Sequence, residues 1–319
     1  MTEVPTREAY DRLRTDHDET KRRLTVLTAG RSALPALPGG PALLVPLYAY
    51  PASAYTNPLY NALCDLIRRH REVPTYTILN PASGPGPVVD GNYAAALRRL
   101  RGAGARVLGY VATGYGARAE ADVLADIDRW AALYGPDGLF LDEQQNIDDP
   151  VAVARYARYT AYAHAKGFFP VVGNPGTNAP ERWFATLTAD VIVVHENSVL
   201  PTEAALRGDY AGGHADYPVT RRAALVYGQV SLDPALVALL TRHVGMLYVT
   251  NDVLPNPWDT VPGFLEELYV RLTPATLRGT LVPASATAPG TRGEVAYDAA
   301  YLYVCVAPDT WRRVPLSTW

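Results

Sequence analysis

The feature that most restricts the fold of this chain is a series of eight short apolar runs, whose starts lie some 20 to 33 residues apart. They are LLVPLY (43–48), TYTILN (75–80), RVLGYV (106–111), GLFLD (138–142), FFPVVGN (168–174), DVIVVHE (190–196), AALVYG (223–228) and GMLYVT (245–250). Most intervals hold a helix-like segment, such as EADVLADIDRWAALYG. Continuous apolar strands that alternate with amphipathic helices indicate parallel strands buried on both faces. Eight such units predict a closed (β/α)8 TIM barrel over residues 40–275, rather than an open doubly wound sheet.

The two ends of the chain differ from this central region. In residues 1–32, six positions follow heptad spacing: Tyr10, Leu13, His17, Thr20, Leu24 and Leu27. The pattern predicts an N-terminal helix, which either forms a coiled coil for attachment or lies against the main domain. Residues 279–319 alternate with period two around the turns APGTRG and APDT, which predicts a small β module. Such a module is too short for a large core and is expected to pack on the barrel or on other copies of itself.

Composition excludes several classes of function. The 29 basic and 32 acidic residues give a net charge of −3, with no excess of Lys and Arg for nucleic acid. We expect no membrane span, because each apolar stretch is short, and no signal peptide, because the first residues are charged. The six His are scattered without HxH or HExxH, and Walker, GxGxxG and GxSxG motifs are absent. No metal and no cofactor is therefore predicted, and Cys64 and Cys305 are interpreted as buried thiols.

Acidic residues close two of the predicted strands. Strand four ends in Asp142 and Glu143, and strand six ends in Glu196. On strand four, alternation with period two places Phe140 and Asp142 on the same face. On strand six, it places Ile192, Val194 and Glu196 on the same face. Carboxyl groups at the rim of an apolar barrel are partly desolvated, which raises the pKa as a general acid requires. The three acids are the predicted catalytic residues of a glycosidase; alternatively, they cap the following helices or pair with Arg.

Aromatic and amide side chains also cluster at strand ends. The chain has 21 Tyr but only 5 Phe, and aromatic rings stack on the C–H faces of sugars while a Tyr hydroxyl stays free to hydrogen-bond. For each Tyr alone, a structural role is the alternative. The predicted substrate-binding residues are Tyr48, Asn80, Tyr110, Tyr115, Asn174, Asn197, Tyr227, Asn251 and Trp258.

The strand-end motifs resemble those of the spherulin 4 family, whose characterised relatives form glycoside hydrolase family 135. The matching stretches are VPLYAYP (45–51), NPASGPG (80–86), GYVATGYG (109–116), GLFLDE (138–143), NPGT (174–177) and ADVIVVHEN (189–197). The resemblance implies a (β/α)8 fold, and it implies that Asp142, Glu143 and Glu196 occupy the acidic cleft. Known members cleave fungal galactosaminogalactan, which contains galactose and N-acetylgalactosamine. His195 stands where an apolar or aromatic residue is more usual in the family.

The C-terminal stretch PGTRGEVAYDAAYLYVCVAPDTWRRVPLS resembles a short module of phage tail and other virion proteins. That resemblance implies a protein carried on a phage tail, acting outside the cell on a surface polysaccharide. The expected partners are this polysaccharide and other tail proteins, contacted through the N-terminal helix or the C-terminal module, with a homotrimer as one arrangement.

The resulting hypothesis is an endo-acting glycoside hydrolase, with Glu196 as acid/base, Asp142 as its carboxylate partner and Glu143 orienting the substrate or replacing Asp142. Two alternatives remain at this point. The first is a glycan receptor-binding tail protein that has lost turnover, and the second is a structural tail protein in which the barrel is decoration.

Overall fold

The computed structural model describes residues 36–53, 56–209, 213–273, 277–278, 282–290 and 293–317. The N-terminal helix predicted over residues 1–32 lies outside the described residues. The chain divides into two compact units, the first ending at Leu272 and the second beginning at Thr273. Within the described ranges, no helix combines the length and the apolar character that crossing a membrane requires.

The first unit is a closed barrel of eight parallel strands in sequential order, which confirms the predicted (β/α)8 fold. The strands are β1 (Ala42–Leu47), β2 (Thr75–Leu79), β3 (Arg106–Ala112), β4 (Gly138–Asp142), β5 (Val171–Gly173), β6 (Val191–Asn197), β7 (Arg222–Val226) and β8 (Met246–Val249). Nearly every residue of these strands is buried, since one face packs inside the barrel and the other packs under the helices. Their carboxyl ends therefore meet at one mouth.

Helices occupy the intervals between strands. They are α1 (Pro58–Arg69), α2 (Gly91–Ala103), α3 (Glu120–Leu133), α4 (Pro150–Ala165), α5 (Glu181–Ala185), α6 (Glu203–Arg207), α7 (Pro234–His243) and α8 (Leu265–Leu272). The side chains of Asn57, Asp90, Asp149 and Asp233 accept hydrogen bonds from the first free backbone N–H groups of α1, α2, α4 and α7. Three of these caps precede Pro, whose fixed φ suits the first helical position. The helices therefore begin where the Asx-Pro and Asp-Gly pairs stand in the sequence.

Helix α3 is pressed against β3 at Gly109. A Cβ atom at this position would lie 2.6 Å from the ring of Trp130, which is fully buried. The indole Nε1 of Trp130 donates to the carbonyl of Tyr110 at 2.7 Å. Gly109 is thus required for the close approach, and the contact fixes the backbone from which Tyr110 extends.

Strand β6 departs from regular alternation. Its pairing with β7 shifts between Val193 and His195, so that β6 holds one residue more than its partner. The expectation that Ile192, Val194 and Glu196 follow one unbroken face is therefore wrong. A bulge of this kind bends a strand and re-aims the side chains beyond it, and here those side chains include Glu196.

The second unit contains a four-stranded sheet of order β12–β11–β10–β9. Its strands are β9 (Leu277–Arg278), β10 (Val295–Tyr297), β11 (Tyr301–Ala307) and β12 (Thr310–Pro315). The hairpin between β11 and β12 turns at the predicted APDT segment. The buried residues form a small cluster of Ala296, Tyr303, Cys305 and Trp311. Cys64 and Cys305 are both buried and free, as expected.

Candidate active site

Two carboxyl groups at the barrel mouth are joined by one amide. The side-chain nitrogen of Asn174, just beyond β5, donates to Asp142 Oδ1 at 2.8 Å and to Glu196 Oε2 at 2.6 Å. Its orientation is fixed, because Asn174 Oδ1 accepts from the backbone N–H of Gly176 at 2.9 Å. The predicted convergence of strands four and six is therefore present, and Asn174 connects them.

Burial and hydrogen bonds act on Asp142 in opposite directions. Burial raises the pKa of this carboxyl group, but three donors oppose the shift: the hydroxyl of Tyr110, the backbone N–H of Glu143 and the amide of Asn174. Hydrogen bonds to the charged form stabilise a carboxylate in a partly desolvated place. Three donors contact the Asp142 carboxylate, against two for Glu196, so the charged form of Asp142 receives the greater hydrogen-bond support.

Glu196 is placed to hold a proton. Burial, reinforced by the negative charge of Asp142, raises the pKa of Glu196 to about 7. Hydrogen bonds from Asn174 and from the indole of Trp258 lower it, without cancelling the effect of burial. Two acids whose surroundings separate their pKa values in this way can divide the roles of proton donor and anionic partner at neutral pH.

Glu143 follows Asp142 in a strained turn. Its φ of 55° lies in the left-handed region, which side chains other than Gly, Asn and Asp seldom adopt. Its carboxylate accepts from the backbone N–H of Gly114 at 3.1 Å, and its carbonyl accepts from that of Tyr115 at 2.6 Å. Tyr115, itself at φ 51° and 64% exposed, stands near all three acids, and its pKa is raised by partial desolvation and by their charges. The β3 and β4 loops thus form one wall of the mouth.

Aromatic rings line the rest of the site. Tyr48 meets Tyr110 edge to face, with ring centroids 5.7 Å apart, and Trp258 meets Tyr227 in the same way at 5.8 Å. The backbone N–H of Tyr48 donates to the carbonyl of Trp258 at 2.8 Å, which ties the loop after β8 to the end of β1. The pKa of Tyr48 is raised by burial and by the charges of Asp142 and Glu196, so this hydroxyl remains a neutral donor.

Three amides from the sequence prediction lie elsewhere. Asn80 accepts from the N–H of Gly84 at 3.1 Å, and Asn197 accepts from that of Val199 at 3.0 Å, so both side chains organise their own loops. Asn251 is exposed. The structure does not join them to the acids by a hydrogen bond among the described residues, and their role in substrate binding stays a prediction.

Among the residues that the structure describes, no Lys, Arg or His forms an ion pair with Asp142, Glu143 or Glu196. The groups that shift the pKa of Asp142 and Glu196 are carboxylates, hydrogen-bond donors and burial, with no Arg or Lys among them. In the described part of the chain, no three His, Cys, Asp or Glu side chains gather where they could hold a metal ion. The site therefore offers a proton donor, a carboxylate and neutral hydrogen-bond donors, and aromatic side chains line it. This set suits acid–base chemistry on a neutral polar substrate.

Two buried hydroxyl groups behind the acids were not predicted. Thr113 lies 2.9 Å from the carbonyl of Asp142 and 2.7 Å from that of Glu143, and the Tyr156 hydroxyl contacts Thr113 at 2.7 Å. Thr113 belongs to the GYVATGYG stretch, which was the available signal. Tyr156 lies in the middle of α4, where the sequence indicates only a helix.

Comparison with known proteins shows the family to which this chain is similar. The sequence family Spherulin4, described as spherulation-specific family 4, matches residues 42–271 of this chain. Spherulin-4 of Physarum polycephalum is 36% identical over 162 residues, which are 48% of this chain and 44% of that protein. The crystal structure of Aspergillus clavatus Sph3 in complex with GalNAc superposes with a TM-score of 0.63 at 26% identity, covering 73% of this chain and 98% of that one.

A capsule K30/K69-specific depolymerase of Klebsiella phage K5-2 shares a shorter stretch. It is 56% identical over 36 residues, which are 11% of this chain and 4% of that protein. The chain thus spans less than half the length of each of these two curated relatives.

Proposed function

Because the chain belongs to the spherulation-specific family 4, we propose that it is a glycoside hydrolase whose acid pair is Asp142 and Glu196. The observation that carries the proposal is the bridge from Asn174, which holds both carboxyl groups at one point of the mouth. Glycoside hydrolysis requires two carboxyl groups beside the scissile bond, one protonated and one ionised. A pKa of about 7 for Glu196, beside a better-stabilised Asp142, meets that requirement.

Each acid has a distinct role in the proposed reaction. Glu196 donates its proton to the leaving oxygen and later removes one from the attacking water. Asp142 stabilises the positive charge that develops on the sugar, either as a nucleophile or by positioning an N-acetyl group of the substrate that attacks in its place. Glu143, fixed by the N–H of Gly114, orients the sugar next to Tyr115.

The spacing of the pair favours retention of anomeric configuration. Two oxygens that contact the same nitrogen at 2.8 and 2.6 Å are closer together than the roughly 6.5–9.5 Å that inverting enzymes leave for a water. Both routes through Asp142 give the retained product, so proton NMR of a fresh digest is expected to show it first. Inverted product at early times would contradict the proposed geometry.

The proposed substrate is a surface polysaccharide that contains galactosamine or N-acetylgalactosamine, cleaved within the chain. The complex of the similar Sph3 with GalNAc supports this class. The neutral donors of the site suit the hydroxyl and acetamido groups of N-acetylgalactosamine, and the carboxyl groups of the site suit the ammonium group of galactosamine.

The function is tested by incubating the protein with a panel of such polysaccharides and measuring new reducing ends. Release is expected with wild type and is expected to be lost in Asp142→Asn, with circular dichroism showing that the variant is folded. Measurable binding without release from any polymer would instead favour the glycan receptor-binding function.

We also propose that the protein acts outside the cell on the tail of a bacteriophage, joined to other tail proteins by its terminal segments. The short match to a phage depolymerase supports this setting. Purified protein spotted on lawns of capsulated bacteria is expected to produce clear halos, and the absence of halos on every capsule type would speak against this setting.

A further inference from the structure

A chain of buried hydroxyl groups runs behind the turn that carries Asp142 and Glu143. Thr113 follows β3 and is 1% exposed, and its hydroxyl lies within hydrogen-bond distance of both carbonyls of this turn. On its other side it contacts the hydroxyl of Tyr156, 2.7 Å away on α4. The Tyr156 oxygen in turn accepts from the backbone N–H of Gln145 at 3.2 Å.

The direction of this chain follows from counting hydrogens. Each hydroxyl group has one hydrogen to donate, and carbonyl oxygens can only accept. Thr113 must therefore give its hydrogen to the carbonyls of Asp142 and Glu143, and Tyr156 must give its own to Thr113. Every member is then satisfied, and the chain closes on the turn through Gln145. Removing the Thr113 hydroxyl would leave the carbonyls of Asp142 and Glu143 with one backbone donor each, and removing the Tyr156 hydroxyl would take away the acceptor of the Gln145 N–H.

The turn needs such support because its backbone is strained. Glu143 has φ 55°, and such strain persists only when surrounding contacts hold it. The backbone N–H of Thr113 also donates to the carbonyl of Asp142 at 2.9 Å, and that of Tyr115 donates to the carbonyl of Glu143. The same turn places the N–H of Glu143 against the Asp142 carboxylate. The angle of both acids therefore depends on contacts made from behind.

We propose that Thr113 and Tyr156 are positioning residues for the acid pair: they hold the Asp142–Glu143 turn so that Asp142 reaches Asn174 and Glu196. This inference rests on the proposed hydrolase function, because it assigns the two hydroxyl groups to the same reaction. A positioning role distinguishes Thr113 and Tyr156 from buried residues that only fill the space under α4.

The test compares Thr113→Val, which keeps the shape and removes the hydroxyl, with Thr113→Ser, which keeps the hydroxyl. The matched control is Thr160→Val on the same helix as Tyr156, since Thr160 is also 1% exposed and donates to the carbonyl of Thr188 at 2.6 Å. Thr113→Val is expected to lower kcat by about 10²-fold with little change in KM, as misplacement of reacting groups does. Thr113→Ser is expected to restore most of the activity, and Thr160→Val is expected to lower stability alone.

A second readout needs no substrate and keeps the two proposals distinct. Carbon-13 NMR of labelled Glu side chains follows the titration of Glu196. In Thr113→Val its pKa is expected to fall below the wild-type value of about 7, because Asp142 moves away, while Thr160→Val leaves it unchanged. A wild-type titration together with wild-type kcat in Thr113→Val would overturn the positioning role. Failure of the wild type to release reducing ends from any polymer would overturn the hydrolase function, and the titration would still decide whether Thr113 holds the acids.

Discussion

Glu196→Gln is expected to lower the turnover of polysaccharide by about 10²–10⁴-fold, which is the contribution of a general acid. Gln keeps the size of the side chain and can still accept the hydrogen bonds from Asn174 and Trp258, but it has no proton to give. Binding of the polymer is expected to persist, and initial rates of reducing-end release measure the loss. The matched control is Glu203→Gln at the exposed start of α6.

The same substitution is expected to stabilise the protein at alkaline pH. The folded state raises the pKa of Glu196 from 4.5 to about 7, so the contribution of Glu196 to stability is fully present below pH 4.5 and is lost as the pH rises through 7. The loss is about 2 kcal/mol once the partial exposure of the side chain is allowed for. In urea unfolding, the free energy of unfolding of Glu196→Gln is expected to exceed that of wild type at pH 8 and to be close to it at pH 4.5. Equal stabilities at both pH values would mean that Glu196 is not held in a desolvated place.

Asn174→Ala is the second substitution with a large expected effect. It removes the donor that joins the two carboxyl groups, so both lose orientation and a reduction of kcat by about 10²-fold is expected. Because the Asn174 hydrogen bonds lower the pKa of Asp142 and of Glu196, their loss is expected to raise both pKa values. The pH–rate profile is therefore expected to move toward higher pH.

Asn80→Ala is the control for this experiment. Asn80 also follows a barrel strand, but its side chain accepts a hydrogen bond from Gly84 within its own loop. The predicted role of Asn80 in substrate binding would change KM, whereas kcat and the pH–rate profile are expected to stay close to those of wild type, because its side chain is bonded within its own loop. Equal activity of Asn174→Ala and Asn80→Ala would contradict the bridging role of Asn174.

The fold could be predicted because its signals are local. Each strand is a short apolar run, each long helix has amphipathic spacing, and residues such as Asp149 and Pro150 mark a helix start. Barrel topology then brings all strand ends to one mouth, so the convergence of Asp142 and Glu196 follows without knowledge of their contacts.

The remaining features depend on contacts between distant segments. Asn80, Asn174 and Asn197 all stand at strand ends, yet only Asn174 has its amide turned to the acids, and no spacing rule separates them. The apolar sequence of β6 gives no indication of the extra residue that shifts its pairing with β7. Thr113 and Tyr156 are 43 residues apart and meet only after β3 and α4 are packed.

We propose that Asp142 and Glu196 act as one pair, with the proton on Glu196. The most direct test of this pair is a carbon-13 NMR titration of the Glu196 carboxyl group in wild type and in Asp142→Asn. We expect a pKa of about 7 for Glu196 in wild type and a lower value once the charge of Asp142 is removed. A Glu196 that titrates near 4.5 in both proteins would contradict this proposal.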